Sequence, residues 1–302
     1  MEPRYAHREG IDWRVKAAMQ RVFSSLPLVG EKVNYLCQRL LGSFPTSETR
    51  FIDFATTDLR HIRHLDRFSS VPIDKAIFYE LGGGWELRGP AIFWAMGVEH
   101  QTVVDIRHLL RPYLFGRALQ KLISLQSELG LKRVPRDSNP ELRRYGIRYL
   151  APCDTTQVPL PDSSVDIVVS TNTLQHIAAA TLPKVMEECL RILRPGGLIS
   201  FYVNYCDQYS YTDPQISEQN FLRYSEFWWR FFNPPLHFQN RLRHSDYVCL
   251  FRVSQLQTLE EVTTKGPEIP VTQVHRSFLR YEASDLAIRD AYFLLRKPLS
   301  QQ

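Results

Sequence analysis

The chain has 302 residues, 44% hydrophobic and 23% charged, with a formal charge of +5 at neutral pH. These proportions exclude a disordered, collagen-like or fibrous chain, and no run of about 18 apolar residues is there to cross a bilayer. The opening MEPRYAHREGIDWR is charged throughout and lacks the apolar stretch of a signal peptide, so a cytoplasmic address is expected.

Residues 1 to about 70 are expected to form a helical lead-in or cap. Apolar positions recur at helical spacing in WRVKAAMQRVF and again in VNYLCQRLLGSF, with a break over 26–30. His61 and His64 stand three apart and could share a helix face as metal ligands, but no third ligand lies nearby. A solvated helix face is the expectation, and no metal. The five cysteines are odd in number, far apart and without a C-x-x-C pair, which predicts buried free thiols.

From 71 onward short β-type runs alternate with helical stretches, the pattern of βαβ units building a parallel sheet. Strands are predicted over 76–81, 102–106, 147–150, 165–170 and 198–204, with helices over 88–96, 112–129 and 182–193. Arg194-Pro195-Gly196-Gly197 ends the last of these helices. Between Arg107 and Arg148 ten basic residues stand against three acidic ones, so this segment carries more than the chain's whole surplus. It would attract anions such as nucleic acid or phosphorylated sugars, or else form a solvated helix face. Beyond 204 lies an aromatic-rich insertion, with thirteen aromatics over 201–239, then a helix over 245–255 and strands over 258–262 and 291–296.

The run AIFYELGGGWELRGP, 76–90, takes a strand through Glu80 and the glycines Gly82, Gly83 and Gly84 into a helix. Glycines allow close approach of a ligand to the main chain, and a helix N-terminus favours an anionic or nucleotide-like group. The second strand ends in Asp105, where a carboxylate can accept two hydrogen bonds from a ribose diol. The third leads into Cys153-Asp154-Thr155, and the fourth lies in PLPDSSVDIVVSTNTLQHI. A nicotinamide fingerprint from Gly82 would need glycine or alanine at Leu87, so hydride transfer is not expected.

In this order of motifs the chain resembles a class I S-adenosylmethionine-dependent methyltransferase of the type 11-like group, clearly over 76–204 and more loosely to 297. The resemblance implies a Rossmann-like, seven-stranded, mostly parallel sheet with helices on both faces. It would occupy 71–302, with insertions at about 107–146 and 205–245. S-adenosylmethionine is the implied cofactor. Glu80, Gly82 and Gly84 would hold its methionine part, Asp105 the ribose hydroxyls, and Asp154 the adenine amino group, with Thr155 beside it. Asn172 would line the methyl-donor pocket. Glu86 departs from the glycine-rich pattern and could face the cofactor's ammonium or repel its carboxylate. Asp162 and Asp166 are expected in turn and packing roles, and Asn233-Pro234-Pro235-Leu236 as a turn.

The acceptor is expected to be a small molecule or glycan, methylated on oxygen. His176, four residues past Asn172, is the candidate general base, with packing against the next helix as the competing role. The insertion, with Tyr209, Tyr211, Trp228, Trp229 and the polar run 239–246, is expected as a lid or wall over the acceptor. Arg143 and Arg144 would help hold anionic groups. An RNA-directed methyltransferase or nucleic-acid binder, and a catalytically silent methyltransferase-like partner subunit, are the alternative readings.

Overall fold

The computed structural model describes residues 10–26, 29–40 and 43–299. Residues 1–9, 27–28 and 41–42 of the expected helical lead-in lie outside that range. The chain opens with α1 (Trp13–Ser24), capped by Asp12, whose carboxylate accepts from the Arg14 and Val15 amides. Next come α2 (Gly30–Leu40) and α3 (Glu48–Phe68), the latter capped by Ser47. On α3 the buried positions Phe51, Ala55, Asp58, Ile62 and Leu65 repeat at spacings of three and four. Ile62 and Leu65 pack with Phe78, Ile167 and Leu294 of the sheet, so α3 covers one sheet face.

Seven strands form one sheet: β1 (Ile77–Leu81), β2 (His100–Val104), β3 (Ile147–Leu150), β4 (Val165–Thr171), β5 (Leu193–Asn204), β6 (Gln257–Lys265) and β7 (Ile288–Arg296). Their order is β3-β2-β1-β4-β5-β7-β6. The first five run parallel, and β7 is antiparallel to both β5 and β6. The sheet is thus mixed, mostly parallel and α/β, of Rossmann-like type. Buried on both faces, its central strands are apolar almost without break. Tyr79 and Leu81 enter one core with Val168, Ile199 and Phe293, whereas Phe78 enters the other with Ile167 and Leu294. By the same alternation Glu80 faces the α3 side.

Helices α4 (Arg88–Ala95), α5 (Pro112–Ser124), α6 (Gln126–Leu129) and α7 (Leu182–Ile192) connect the strands. The single helix expected over 112–129 breaks at Leu125, whose backbone leaves helical geometry, and Gly130 closes α6 in the left-handed region at φ +63°. β5 starts five residues before the expected 198, because Leu193 already pairs with Val165 and an irregularity before Ile167 absorbs the Arg-Pro-Gly-Gly run.

Beyond β5, short 3-10 turns and α8 (Glu226–Phe232) lead to α9 (His244–Val253). Part of the insertion's aromatics build a core with α1, where Trp13, Tyr209, Phe221, Trp229 and Phe278 are buried together, while Phe227, Trp228 and Phe231 stay exposed. Trp13 meets Phe232 edge-on at 4.7 Å between ring centroids. The polar run expected to face the acceptor is drawn inward instead. Arg243, fully buried, donates to the carbonyls of Tyr205, Leu286 and Ile288, and Gln239 donates to Cys206 O. A buried guanidinium needs acceptors, and the loop carbonyls supply them. Pro235–His237 forms a 3-10 turn, and all five cysteines are free, with Cys189 and Cys206 buried and Cys249 exposed. Asp166 accepts from the Ile77 amide and pairs with Arg194, and Asp162 pairs with Arg191. No helix among the described residues is long and apolar enough to cross a membrane.

Candidate functional site

Parallel pairing brings the carboxyl ends of β1, β2, β3 and β4 side by side, where open α/β sheets bind ligands. Gly82 continues the ladder, donating to Val104 O at 2.8 Å with φ +87°. A Cβ there would lie 2.1 Å from Thr173 Oγ1. Gly84 adopts φ +69° with open space where its Cβ would be, and its amide donates to Asp105 Oδ2 at 3.2 Å. The glycine loop therefore closes directly onto Asp105.

Asp105 is 6% exposed. Burial pushes its carboxyl up to about 7, against the lowering donors Tyr149 and the loop amides and the nearby Arg107. Tyr149 on β3 donates to Oδ2 at 3.0 Å. Sequence reasoning missed this residue; the available signal was a hydroxyl-bearing aromatic one position before the end of the strand that flanks Asp105.

Glu80 is 4% exposed, and its Oε2 is buried without a hydrogen-bond partner. Its carboxylate meets that of Asp58 around Gly89: a Cβ on Gly89 would lie 3.0 Å from Glu80 Oε1 and 3.6 Å from Asp58 Oδ1. Burial, then the like charges of Asp58 and Asp105, push Glu80 well above the usual carboxylate range, with Arg88 opposing. Burial also raises Asp58, again against Arg88, whose Nε donates to Asp58 Oδ2 at 2.8 Å. Asp58 and Arg88 were not singled out from sequence, because Asp58 reaches the site only through the packing of α3.

The β3–β4 loop joins at Cys153, whose amide donates to Asp105 O at 2.9 Å. Asp154 follows, exposed, with Oδ1 accepting from the Thr156 amide at 2.9 Å and hydroxyl at 2.8 Å. These two bonds hold its carboxyl below the ordinary range. Thr155 is half-buried beside it. Past β4, Asn172 takes φ +57°, donates its amide to Tyr202 O, and accepts from Gln175 at 3.5 Å. Glu80, Gly82, Gly84 and Asp105 thus form one contiguous wall; Asp154, Thr155 and Asn172 stand on the adjoining loops.

Glu86, considered from sequence as facing the cofactor's ammonium, is engaged by Thr46. Its Oε1 accepts from the Thr46 amide at 3.0 Å and hydroxyl at 2.8 Å, tying the approach to α3 onto the glycine loop. Arg143 and Arg144 lie on the turn before β3 starts, at the amino ends of the strands, and Arg144 pairs with Asp137. They are at the opposite end of the strands from the glycine loop.

His176 stands in a 3-10 turn after Asn172, its Nδ1–H donating to Phe238 O at 2.7 Å and its Nε2 accepting from Gln208 at 2.9 Å. His176 is exposed; desolvation, aided by Arg107 and opposed by the Phe238 carbonyl, nonetheless holds its pKa below the usual value. His61 and His64 do share a helix face, but they pack on Tyr292 at 4.8 Å each. His61 bonds Ser200, Thr171 and Tyr292, and His64 pairs with Glu260.

A family model described as a methyltransferase domain matches residues 128–201. No curated protein matches the sequence. Among solved structures the chain resembles geranyl diphosphate C-methyltransferase from Streptomyces coelicolor, solved with Mg2+, geranyl diphosphate and S-adenosyl-L-homocysteine. The identity is 11% and the TM-score 0.48, over 84% of this chain and 85% of that one. A geranyl diphosphate methyltransferase in complex with SAM gives 13% and 0.48 over 84% and 92%. A methyltransferase in complex with the Trm112 activator from Haloferax volcanii gives 19% and 0.44 over 83% and 97%.

Proposed function

We propose, for a chain that belongs to the class I methyltransferases by its strand order and its matched domain, that it transfers a methyl group from S-adenosylmethionine to a hydroxyl of a small-molecule or glycan acceptor. One observation carries the cofactor reading: the orphaned Glu80 Oε2, buried beside Asp58 and near Asp105. Three buried carboxyls, with Asp58 and Asp105 raising Glu80 and one guanidinium among them, suit a ligand bearing positive charge. S-adenosylmethionine carries an ammonium and a sulfonium. Glu80 and the Gly82 and Gly84 backbone would hold its methionine end, Asp105 its ribose hydroxyls, Asp154 and Thr155 its adenine, and Asn172 the methyl-donor side. When bound, the cofactor supplies an electrophilic methyl group and departs as a neutral thioether.

The chain's own task is to align the acceptor with that methyl group and exclude water. In a transfer to a hydroxyl, the acceptor's proton would go to His176 Nε2 as the methyl group is taken up from the bound cofactor. The tautomer suits this, because Nδ1–H is spent on Phe238 O. Gln208 occupies Nε2, so the acceptor hydroxyl replaces the Gln208 amide as donor when it enters.

Calorimetric titration with S-adenosylhomocysteine tests the cofactor reading. The expected result is saturable binding that Glu80→Gln weakens about tenfold or more, since a charge-assisted bond to the ammonium is lost. Absence of binding overturns it. Binding without turnover across a panel of alcohol acceptors would favour the silent partner subunit.

A further inference from the structure

A cavity of about 570 Å3 opens between the α1–α2 turn, the segment after β2 and the turn at Pro235 and Leu236. One wall is apolar, formed by Phe23, Leu26 and Leu236, and the other carries Lys32, Arg107 and Arg111. Arg111 is committed: its guanidinium lies over Trp85 at 5.0 Å, reaches Glu31 at 3.5 Å and donates to His108 O. Among the described residues the side chains of Lys32 and Arg107 have neither a hydrogen bond nor an ion pair. Glu31, the sole acid among the described residues of the cavity wall, faces Arg111. The surplus charge of the basic segment thus enters the cavity through Arg107, joined by Lys32 from α2.

The place of this cavity gives it meaning. Arg107 stands two residues past Asp105 and acts electrostatically on both Asp105 and His176. On the other side Leu236 stands two residues before Phe238, the carbonyl that orients His176. One lining residue, Arg107, thus acts on both the proposed ribose carboxylate and the proposed base, and another, Leu236, adjoins the turn that orients that base. A methyl acceptor must lie beside that base.

We propose that this cavity binds the phosphoryl group of a phosphorylated small-molecule acceptor, with Arg107 and Lys32 holding its oxygens and the Phe23, Leu26 and Leu236 wall taking an apolar part. Two cations from separate elements suit a group with several anionic oxygens better than a single carboxylate. This rests on the methyltransferase reading, which supplies the cofactor and the base.

The test is calorimetric titration of inorganic pyrophosphate into protein saturated with S-adenosylhomocysteine, with acetate as the carboxylate control. Wild type is expected to bind pyrophosphate and not acetate. Arg107→Ala and Lys32→Ala are each expected to weaken it about tenfold, the loss of one charge-assisted contact, while S-adenosylhomocysteine affinity stays within about twofold. Lys32 is exposed, so its substitution spares the core should Arg107→Ala destabilise the fold. No pyrophosphate binding, equal binding by both variants, or displacement of S-adenosylhomocysteine by pyrophosphate overturns the proposal. So does far tighter binding of a single-stranded oligoribonucleotide with a steep salt dependence, which would make the partner a polynucleotide. The S-adenosylhomocysteine titration of wild type, run without pyrophosphate, separates failure of this proposal from failure of the methyltransferase reading.

Discussion

The Tyr149 hydroxyl donates to Asp105 Oδ2 at 3.0 Å while accepting from the Leu109 and Leu110 amides at 3.2 and 3.4 Å. One phenol thus fixes the carboxylate at the end of β2 and the loop that follows it. Tyr149→Phe removes the donor and leaves two amides to find other partners. S-adenosylhomocysteine affinity is expected to fall about three- to tenfold, the worth of one ordinary hydrogen bond. Calorimetry at pH 8, where Asp105 is ionised, reads it.

If Asp105 holds the ribose, ligand binding and stability depend on pH in opposite senses. Its carboxyl is raised from the ordinary 3.8 to about 7, chiefly by burial. The folded chain therefore binds a proton that the unfolded chain has released, and this stabilisation is present below about pH 4 and lost as pH rises through 7. His61, driven down to about 3 by burial, acts the other way below 6.5. The difference between wild type and Asp105→Asn isolates the carboxyl. Relative to Asp105→Asn, wild type is expected to lose thermal stability between pH 5 and 8, and to gain S-adenosylhomocysteine affinity over the same range as the ribose-binding carboxylate forms.

Glu86 separates a scaffold role from a ligand role. Both Thr46 donors end on its Oε1, and Lys121 Nζ donates to the Thr46 carbonyl. Glu86→Ala is expected to lower unfolding free energy by about 2 kcal/mol, for two bonds to a buried carboxylate, with S-adenosylhomocysteine affinity changed less than about threefold. Urea unfolding and calorimetry measure the two quantities. A large loss of affinity with stability intact would place Glu86 on the ligand.

Two glycines of one loop should differ in kind. Gly84→Ala meets only the left-handed backbone, a cost of about 1–2 kcal/mol. Gly82→Ala meets the same strain and also drives a methyl into Thr173, 2.1 Å from Oγ1 and 2.6 Å from Cγ2. It is expected to cost about 3 kcal/mol or more, read by chemical denaturation. Gly82→Ala with Thr173→Ser should recover part of the loss.

If His176 takes the acceptor's proton, His176→Ala should lower kcat about 100-fold or more while leaving S-adenosylhomocysteine affinity unchanged. The wild-type rate should rise with pH through a value below 6.5, since desolvation holds the imidazole below its usual pKa, and be level by pH 7.5. Gln208→Ala should shift that midpoint upward, because an amide that donates to Nε2 favours the neutral ring.

The strands and the acids at their ends were legible because buried parallel strands are written as unbroken apolar runs and a carboxylate interrupting such a run is conspicuous. Glu80 and Asp105 are of this kind. What sequence could not show was set by distant partners. Asp58 reaches Glu80 from a helix that precedes β1, Thr46 captures Glu86 across forty positions, and Trp13 supplies the floor on which the insertion's aromatics pack. Charge density along the chain pointed to the basic segment as a whole. Topology then divided it, leaving Arg143 and Arg144 at the amino ends of the strands and Arg107 at the carboxyl ends.

The most direct measurement is a crystal structure of the chain with S-adenosylhomocysteine. It should show the amino group of the ligand against Glu80, filling the vacancy at Oε2, and the ribose hydroxyls on Asp105. A ligand bound away from the ends of β1 and β2, or bound there with both carboxylates untouched, would contradict the account.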